Sequence, residues 1–379
     1  MRQLLFTGFN AFGQHNENNK SSGRTSARVN GFTEIVEPGN NDDSQLIVAL
    51  SWRYTAYALG SKLWLRGLLN CEPIECLELE APAAVRALAA CDQHCLVLLQ
   101  TGALFKLLPK LGANLQSILL ETAASTTTGT KRNIFGQAKT ETANVITHIA
   151  CGSHINVAVS AANAVYSIPS FLHQFPQRQW RVQQLTCGNE HALLLNGNGD
   201  VHAWGSGLRG QLGQQTLSVE ETPQLVEALA GIKITHIAAG AWHSAAISAF
   251  GDLYTWGYNS NGQLGMRVMK RDSLLKEPAV YPLPQLHDLP ACCAQLEDDA
   301  AAAADEACAP LKVFCGARHT LIMRRCGRLW ACGWCAHGQL GTHISQLNYL
   351  DAFEAVNDVC KDESYDVICG PWATILMCM

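Results

Sequence analysis

The sequence predicts an all-β ring of seven repeated blades. Three observations predict it. One stretch recurs three times at fixed offsets, three degenerate copies precede it, and the chain ends carry complementary halves of a seventh. The reference stretch is 185–213, LTCGNEHALLLNGNGDVHAWGSGLRGQLG. It reads as three short strands joined by turns. Cys187-Gly188 ends the first, His191 to Leu195 is the second, and Val201 to Trp204 is the third. Gly197, Asn198, Gly199 and Asp200 form a turn, because these residues tolerate positive φ or bond their own backbone. Helix caps and an apolar stripe at helical spacing are both missing.

The stretch returns as Ala239-Gly240-Ala241-Trp242-His243 with Trp256-Gly257 and Gly262-Gln263-Leu264-Gly265. It returns again as Cys315-Gly316-Ala317-Arg318-His319 with Cys332-Gly333 and Gly338-Gln339-Leu340-Gly341. Gly188 to Gly205, Gly240 to Gly257 and Gly316 to Gly333 are each 17 positions apart, and His191, His243 and His319 each follow the first glycine by 3. Fixed offsets of this kind are the mark of a repeat architecture.

Ser51-Trp52-Arg53-Tyr54-Thr55 with Trp64 to Gly67 keeps the spacing, with Tyr54 in the histidine place. Ala90-Cys91-Asp92-Gln93-His94 keeps the histidine, whereas Cys151-Gly152-Ser153-His154-Ile155 places Ile155 there. At the N-terminus, Thr7-Gly8 and Gly13-Gln14 stand where Trp204-Gly205 and Gly210-Gln211 stand, as the end of a repeat. Val367 to Leu376, with Cys369-Gly370-Pro371-Trp372, reads as a repeat beginning. Pairing of these N- and C-terminal strands is expected to close the ring and remove exposed sheet edges. The chain 1–379 is thus expected to be a single domain. A polar loop is expected at 14–45, a Thr-rich insert at 121–142, and an acidic, Ala-rich insert at 266–310.

Composition narrows the function. Hydrophobic residues make up 48% of the 379, enough for a sizeable core, and a net charge of -5 argues against a whole-surface nucleic-acid binder. No apolar run approaches the ~18 residues of a membrane span. Met1 to Gly13 lacks the pattern of a secretion signal, so the protein is not expected to be secreted. Sixteen cysteines in such a chain point to reduced thiols. Cys151, Cys187, Cys315 and Cys369 share a repeat position with Ala239, which favours small buried side chains over disulfides.

Catalytic and metal signals are weighed against this repeat. His191, His243 and His319 belong to different blades and are expected to bond backbone carbonyls or a neighbouring blade. Gly205, Gly257 and Gly333 are expected to be structural. Cys332-Gly333-Trp334-Cys335 lacks the second pair of a four-cysteine zinc site. Gly205 to Gly213 lacks the Lys-Ser/Thr of a phosphate loop. The Asp298-Asp299 and Asp305-Glu306 run reads as solvated, and no Gly-x-Ser-x-Gly elbow is present. No catalytic group, cofactor, metal or small-molecule substrate is expected. The expected working surface is one rim carrying Arg53, Trp242, Arg318 and Trp372, since tryptophan and arginine are common interface anchors.

The motif Trp-Gly-x-x-x-x-Gly-Gln-Leu-Gly with an upstream Gly-x-x-His resembles the repeat of the regulator of chromosome condensation superfamily. The resemblance runs over 185–341, with support at both ends, and implies a seven-bladed β-propeller. Gly8 to Gln14, Ser51 to Thr55, Glu190 to Leu195, Ala241 to Ser244 and Cys369 to Trp372 resemble the small single-propeller members. Those members imply a nuclear, non-catalytic partner of a Jumonji-type oxygenase of the lysine-demethylase class. The implied roles lie in chromatin state, chromosome segregation and microtubules. Two alternatives stand beside it: a guanine-nucleotide exchange factor for a Ran-type GTPase, and a ubiquitin-ligase adaptor.

Overall fold

The computed structural model describes residues 3–15, 27–36, 38, 45–69, 72–110, 112–121, 145–176, 180–269, 279–290, 308–341, 348–356 and 364–378. Its strands form seven four-stranded sheets, each a meander of antiparallel neighbours. Blade 1 holds Ile47–Leu50, Tyr54–Leu59, Lys62–Leu69 and Glu72–Glu80. Blade 2 holds Val85–Ala90, Cys95–Leu99, Leu104–Leu107 and Leu115–Ser117. Blade 3 holds Ile146–Cys151, Asn156–Ser160, Ala164–Ser167 and Ser170–Gln174. Blade 4 holds Val182–Cys187, His191–Asn196, Val201–Ser206 and Val219–Leu225. Blade 5 holds Ile234–Ala239, His243–Ser248, Leu253–Tyr258 and Val280–His287. Blade 6 holds Pro310–Cys315, His319–Arg324, Leu329–Trp334 and Tyr349–Ala355. The protein is a seven-bladed β-propeller.

Blade 7 joins the two ends of the chain. Its strands, from the axis outward, are Tyr365–Cys369, Ala373–Cys378, Gln3–Phe9 and Arg28–Ile35. Gln3 faces Cys378 and the register continues without a break to Gly8 opposite Ala373. The expected closure is present, strand for strand.

The core lies between blades. The second strands of blades 4, 5 and 6 are buried along their whole length, because each face meets a different neighbour. Leu193 and Leu195 pack with Ile237 and Trp256 of blade 5. Ala192 and Leu194, on the other face, pack with Val157, Val159 and Val165 of blade 3. A strand covered on both faces reads as a continuous apolar run.

The sequence pattern gave three strands per repeat, and the structure adds a fourth. The fourth strand lies at the perimeter, as in Val219–Leu225, where exposed and half-buried residues prevail. With no apolar demand, it carries no apolar pattern. For the same reason the 14–45 stretch, expected as a loop, contains the outer strand Arg28–Ile35. The 266–310 stretch contains the outer strand Val280–His287. Residues 122–144 and the acidic run within 291–307 lie outside the described residues.

Candidate functional site

The repeat motif builds a seam between each pair of blades. The Ser244 hydroxyl donates to the Gln211 carbonyl at 2.8 Å, so it accepts from His191 Nε2–H at 2.9 Å. Thr320 likewise donates to the Gln263 carbonyl at 2.6 Å and accepts from His243 at 2.9 Å. Thr374 donates to the Gln339 carbonyl at 2.8 Å and accepts from His319 at 3.5 Å. The three imidazoles are therefore Nε2–H tautomers, each tied to the next blade. Burial holds each of them at about 3, with the neighbouring His243 adding to the effect on His191 and His319.

The same geometry explains the glycines. A Cβ at Gly188 would meet His191 Cε1 at 2.3 Å and the Gly240 carbonyl oxygen at 2.2 Å. Gly205 has φ +102°, and a Cβ there would meet the Glu190 carbonyl at 2.4 Å. Gly257 and Gly333 take the same left-handed backbone against the Trp242 and Arg318 carbonyls. The motif tryptophan belongs to this seam as well, since Trp256 Nε1 donates to the Gln211 carbonyl at 2.9 Å. In blade 6 Cys332 stands in that place, with Sγ 3.6 Å from the Gln263 carbonyl. Trp204 follows a blade without the glutamine loop, and its buried Nε1 has no partner among the described residues. Burial pushes the Cys332 and Cys335 thiols up, which is opposed to thiolate redox chemistry.

One seam residue was not foreseen. Blade 7 has Ala373 in the histidine position, and His15 fills the gap from the N-terminal Gly13-Gln14 turn. Its Nε2 lies 3.2 Å from Thr55 Oγ1 and its Nδ1 2.9 Å from the Tyr57 hydroxyl. Its place beside Gln14 was the available signal.

The seams fix the loops between first and second strands, which converge at one end of the ring. There they surround an axial cavity of about 600 Å³ to which all seven blades contribute. A chain of backbone bonds ties the loops together. His154 N–H donates to the Asn189 carbonyl, Asn189 to Ala241, Ala241 to Ala317, and Ala317 to Pro371, at 2.8–3.2 Å. Pro371 has no N–H, so the chain stops at blade 7.

All four rim residues expected from sequence lie at this end, half-buried. Arg318 lies over Trp242 at 5.8 Å and over Trp334 at 5.9 Å. Arg209 also lies over Trp242, at 4.6 Å, and is 3.6 Å from Glu190. Trp334 meets His337 at 5.1 Å, His337 meets Trp372 at 5.4 Å, and Trp372 meets Trp52 at 5.5 Å. Arg53 lies over Trp52 at 5.9 Å. The result is one arc of arginines and aromatic rings from blade 4 through blade 7 to blade 1. Arg209, Trp334, His337, Phe9 and Phe12 were absent from the sequence expectation. Trp334 and Phe9 end third strands, and Arg209, His337 and Phe12 sit on the loops that follow them, where residues vary from copy to copy.

In the diverged half, Cys91, His94 and Cys151 form a separate cluster beside the cavity. Their sulfur and nitrogen atoms lie within 4.8 Å of one another. Hydrogen bonding from Cys151 draws the Cys91 thiol down to about 4, opposed by burial and assisted by His94. Cys91, Cys151, Cys187, Cys315 and Cys369 are all free thiols.

Family models match these repeats. The regulator of chromosome condensation (RCC1) repeat matches 198–247, and a second model of the same repeat matches 182–211 and 234–263. Residues 182–263 thus match regulator of chromosome condensation repeats. It is 36% identical over 233 residues to RCC1 domain-containing protein 1 of Mus musculus, covering 52% of this chain and 56% of that protein. The match thus spans little more than half the length of that relative. Human WBSCR16 superposes with a TM-score of 0.69 at 16% identity over 100% of both chains. Prp20p of Saccharomyces cerevisiae, described with its binding properties to Gsp1p and histones, superposes at 0.69 with 14% identity, covering 100% of this chain and 91% of that one. These two likenesses show the fold. Among the described residues, no helix is long and apolar enough to cross a membrane.

Proposed function

We propose that this propeller is a non-catalytic adaptor whose arginine–aromatic rim binds a protein partner. The observation that carries this is the joining of Arg53, Trp242, Arg318 and Trp372 into one half-buried arc around an axial cavity. Stacked rings supply contact area at low entropic cost, and arginine forks pair with carboxylates in two-pronged fashion. Leu208, 60% exposed beside Arg209, extends the surface with an apolar edge. The similarity to RCC1 domain-containing protein 1 supports a Jumonji-type oxygenase of the lysine-demethylase class as the partner. In this reading the protein acts in the nucleus on chromatin state and chromosome segregation.

The test is a pull-down of a purified Jumonji-type oxygenase with the wild-type chain and with the Trp372→Ala/Arg318→Glu double variant. Retention by the wild type and loss by the variant, at equal thermal stability, supports the proposal. No retention by the wild type, together with accelerated nucleotide release from a Ran-type GTPase, would replace it with the exchange-factor reading.

A further inference from the structure

We propose that Cys91, His94 and Cys151 form a zinc site between blades 2 and 3, with its fourth coordination position open to the axial cavity. The first support is a departure from the repeat. Cys91 stands where Gly152, Gly188, Gly240, Gly316 and Gly370 stand in other blades, three positions before the histidine slot. In those copies that have the histidine, a Cβ would strike the ring, at 2.0 Å for Gly240 and 1.9 Å for Gly316. In blade 2 the cysteine side chain instead lies against the ring, with Cys91 Sγ 3.4 Å from His94 Nδ1 and 3.9 Å from Nε2.

The second support is the orientation of the imidazole. His94 Nε2 lies 3.0 Å from Asn156 Oδ1, which accepts a hydrogen bond and cannot donate one. That bond fixes the proton on Nε2 and leaves Nδ1 as the nitrogen free to bind a metal. A metal-bound histidine is held in this way by an acceptor on its other nitrogen. Asn156 is also the blade-3 counterpart of Ser244 and Thr320, so the ordinary seam contact has become the support of a ligand.

The third support is chemical. Two sulfurs and one imidazole nitrogen suit zinc, which binds thiolate at ~2.3 Å and histidine at ~2.0–2.1 Å, so ligand atoms sit about 3.5–3.8 Å apart. The donor atoms already lie within 4.8 Å of one another, and coordination draws them inward with a turn of the imidazole that brings Nδ1 onto the metal. Cys91 and Cys151 both line the cavity, with Asp92 and Ser153 beside them. The fourth position therefore faces solvent and takes water, or a donor atom from whatever enters the cavity. Zinc binding releases to solvent the proton still held by the Cys151 thiol, and no bond to carbon changes. The metal would clamp blades 2 and 3, next to the seam where Ile155 has replaced the histidine and left an apolar contact.

The experiment is metal analysis of the full chain after dialysis against zinc and then metal-free buffer, with Cys91→Gly as the matched variant. That substitution restores the residue found in the other blades and should leave the fold intact by circular dichroism. The wild type should retain one zinc equivalent, Cys91→Gly should retain none, and Asn156→Ala should bind about 10–100-fold more weakly. Cobalt(II) added to metal-free wild type should produce a thiolate-to-cobalt charge-transfer band that zinc abolishes, a readout independent of any variant. Absence of that band, equal zinc in Cys91→Gly, or a Cys91–Cys151 disulfide in the purified chain each overturns the proposal.

Discussion

Gly240 shows how tightly single residues are specified. A Cβ there would lie 2.0 Å from His243 Cε1 and 2.6 Å from the Gly316 carbonyl oxygen. Neither the ring nor the backbone of the next blade has room to retreat. Gly240→Ala should lower stability by about 1–3 kcal/mol, in line with overpacking of a filled core, measured by urea denaturation. The histidine it abuts makes stability depend on pH. His15, His191, His243 and His319 sit at about 3 in the folded chain, against 6.5 when exposed. The folded value is the lower one, so the unfolded chain takes up protons first as pH falls. Stability is therefore complete above about pH 6.5 and is lost progressively toward pH 3, by up to about 1.4 kcal/mol per pH unit for each ring. The urea midpoint should be flat from pH 8 to 7 and fall steeply by pH 5. A midpoint unchanged at pH 5 would contradict the buried neutral tautomers. The histidine and glycine spacing was legible in sequence because the same collision recurs in three copies. His15 was not, because it serves the seam from the position that holds leucine in the clear copies, Leu212, Leu264 and Leu340.

At the scale of the element, the seam rather than the blade is the unit that the motif encodes. The glutamine carbonyl of one blade receives both a hydroxyl and an indole N–H from the next, as Gln211 does from Ser244 and Trp256. Ser244→Ala leaves His191 Nε2–H without its acceptor in a buried place and should cost about 1–3 kcal/mol. Combined with His191→Phe, which removes the donor, the double variant should be more stable than the sum of the single losses predicts. A double-mutant cycle in urea measures this, and strict additivity would show that the two side chains do not interact. Inner strands were legible because both faces are buried and the glycines punctuate them. Outer strands such as Val219–Leu225 and Arg28–Ile35 were not, because perimeter burial imposes no pattern. The weak copies in blades 1 to 3 reflect altered seams: Tyr54 donates to the Cys91 carbonyl at 2.9 Å, and His94 turns to Asn156.

The whole molecule depends on closure by strands from opposite ends of the chain. Gly8 has φ +123°, and a Cβ there would meet the Trp372 carbonyl at 2.5 Å, within the closing sheet. Gly60 has φ +59° with open space around it. Gly8→Ala should therefore lower the melting temperature by several degrees more than Gly60→Ala, which shares the backbone strain without the collision. Equal losses would mean that the closing blade is not under the packing described. Closure was legible because the split motif leaves unmatched halves at the ends. The full rim was legible only in part, since Trp334 at the end of a third strand, and His337 and Arg209 on the loops beyond, occupy positions that no repeat offset singles out. The account rests on that rim as the docking surface, and the opposite end of the ring offers a direct control in Phe250, 84% exposed at a hairpin tip. The deciding measurement is photo-crosslinking of a bound partner from a crosslinking residue placed at position 318 or at position 250. Crosslinks from 318 and none from 250 are predicted; crosslinks from 250 alone would contradict the account.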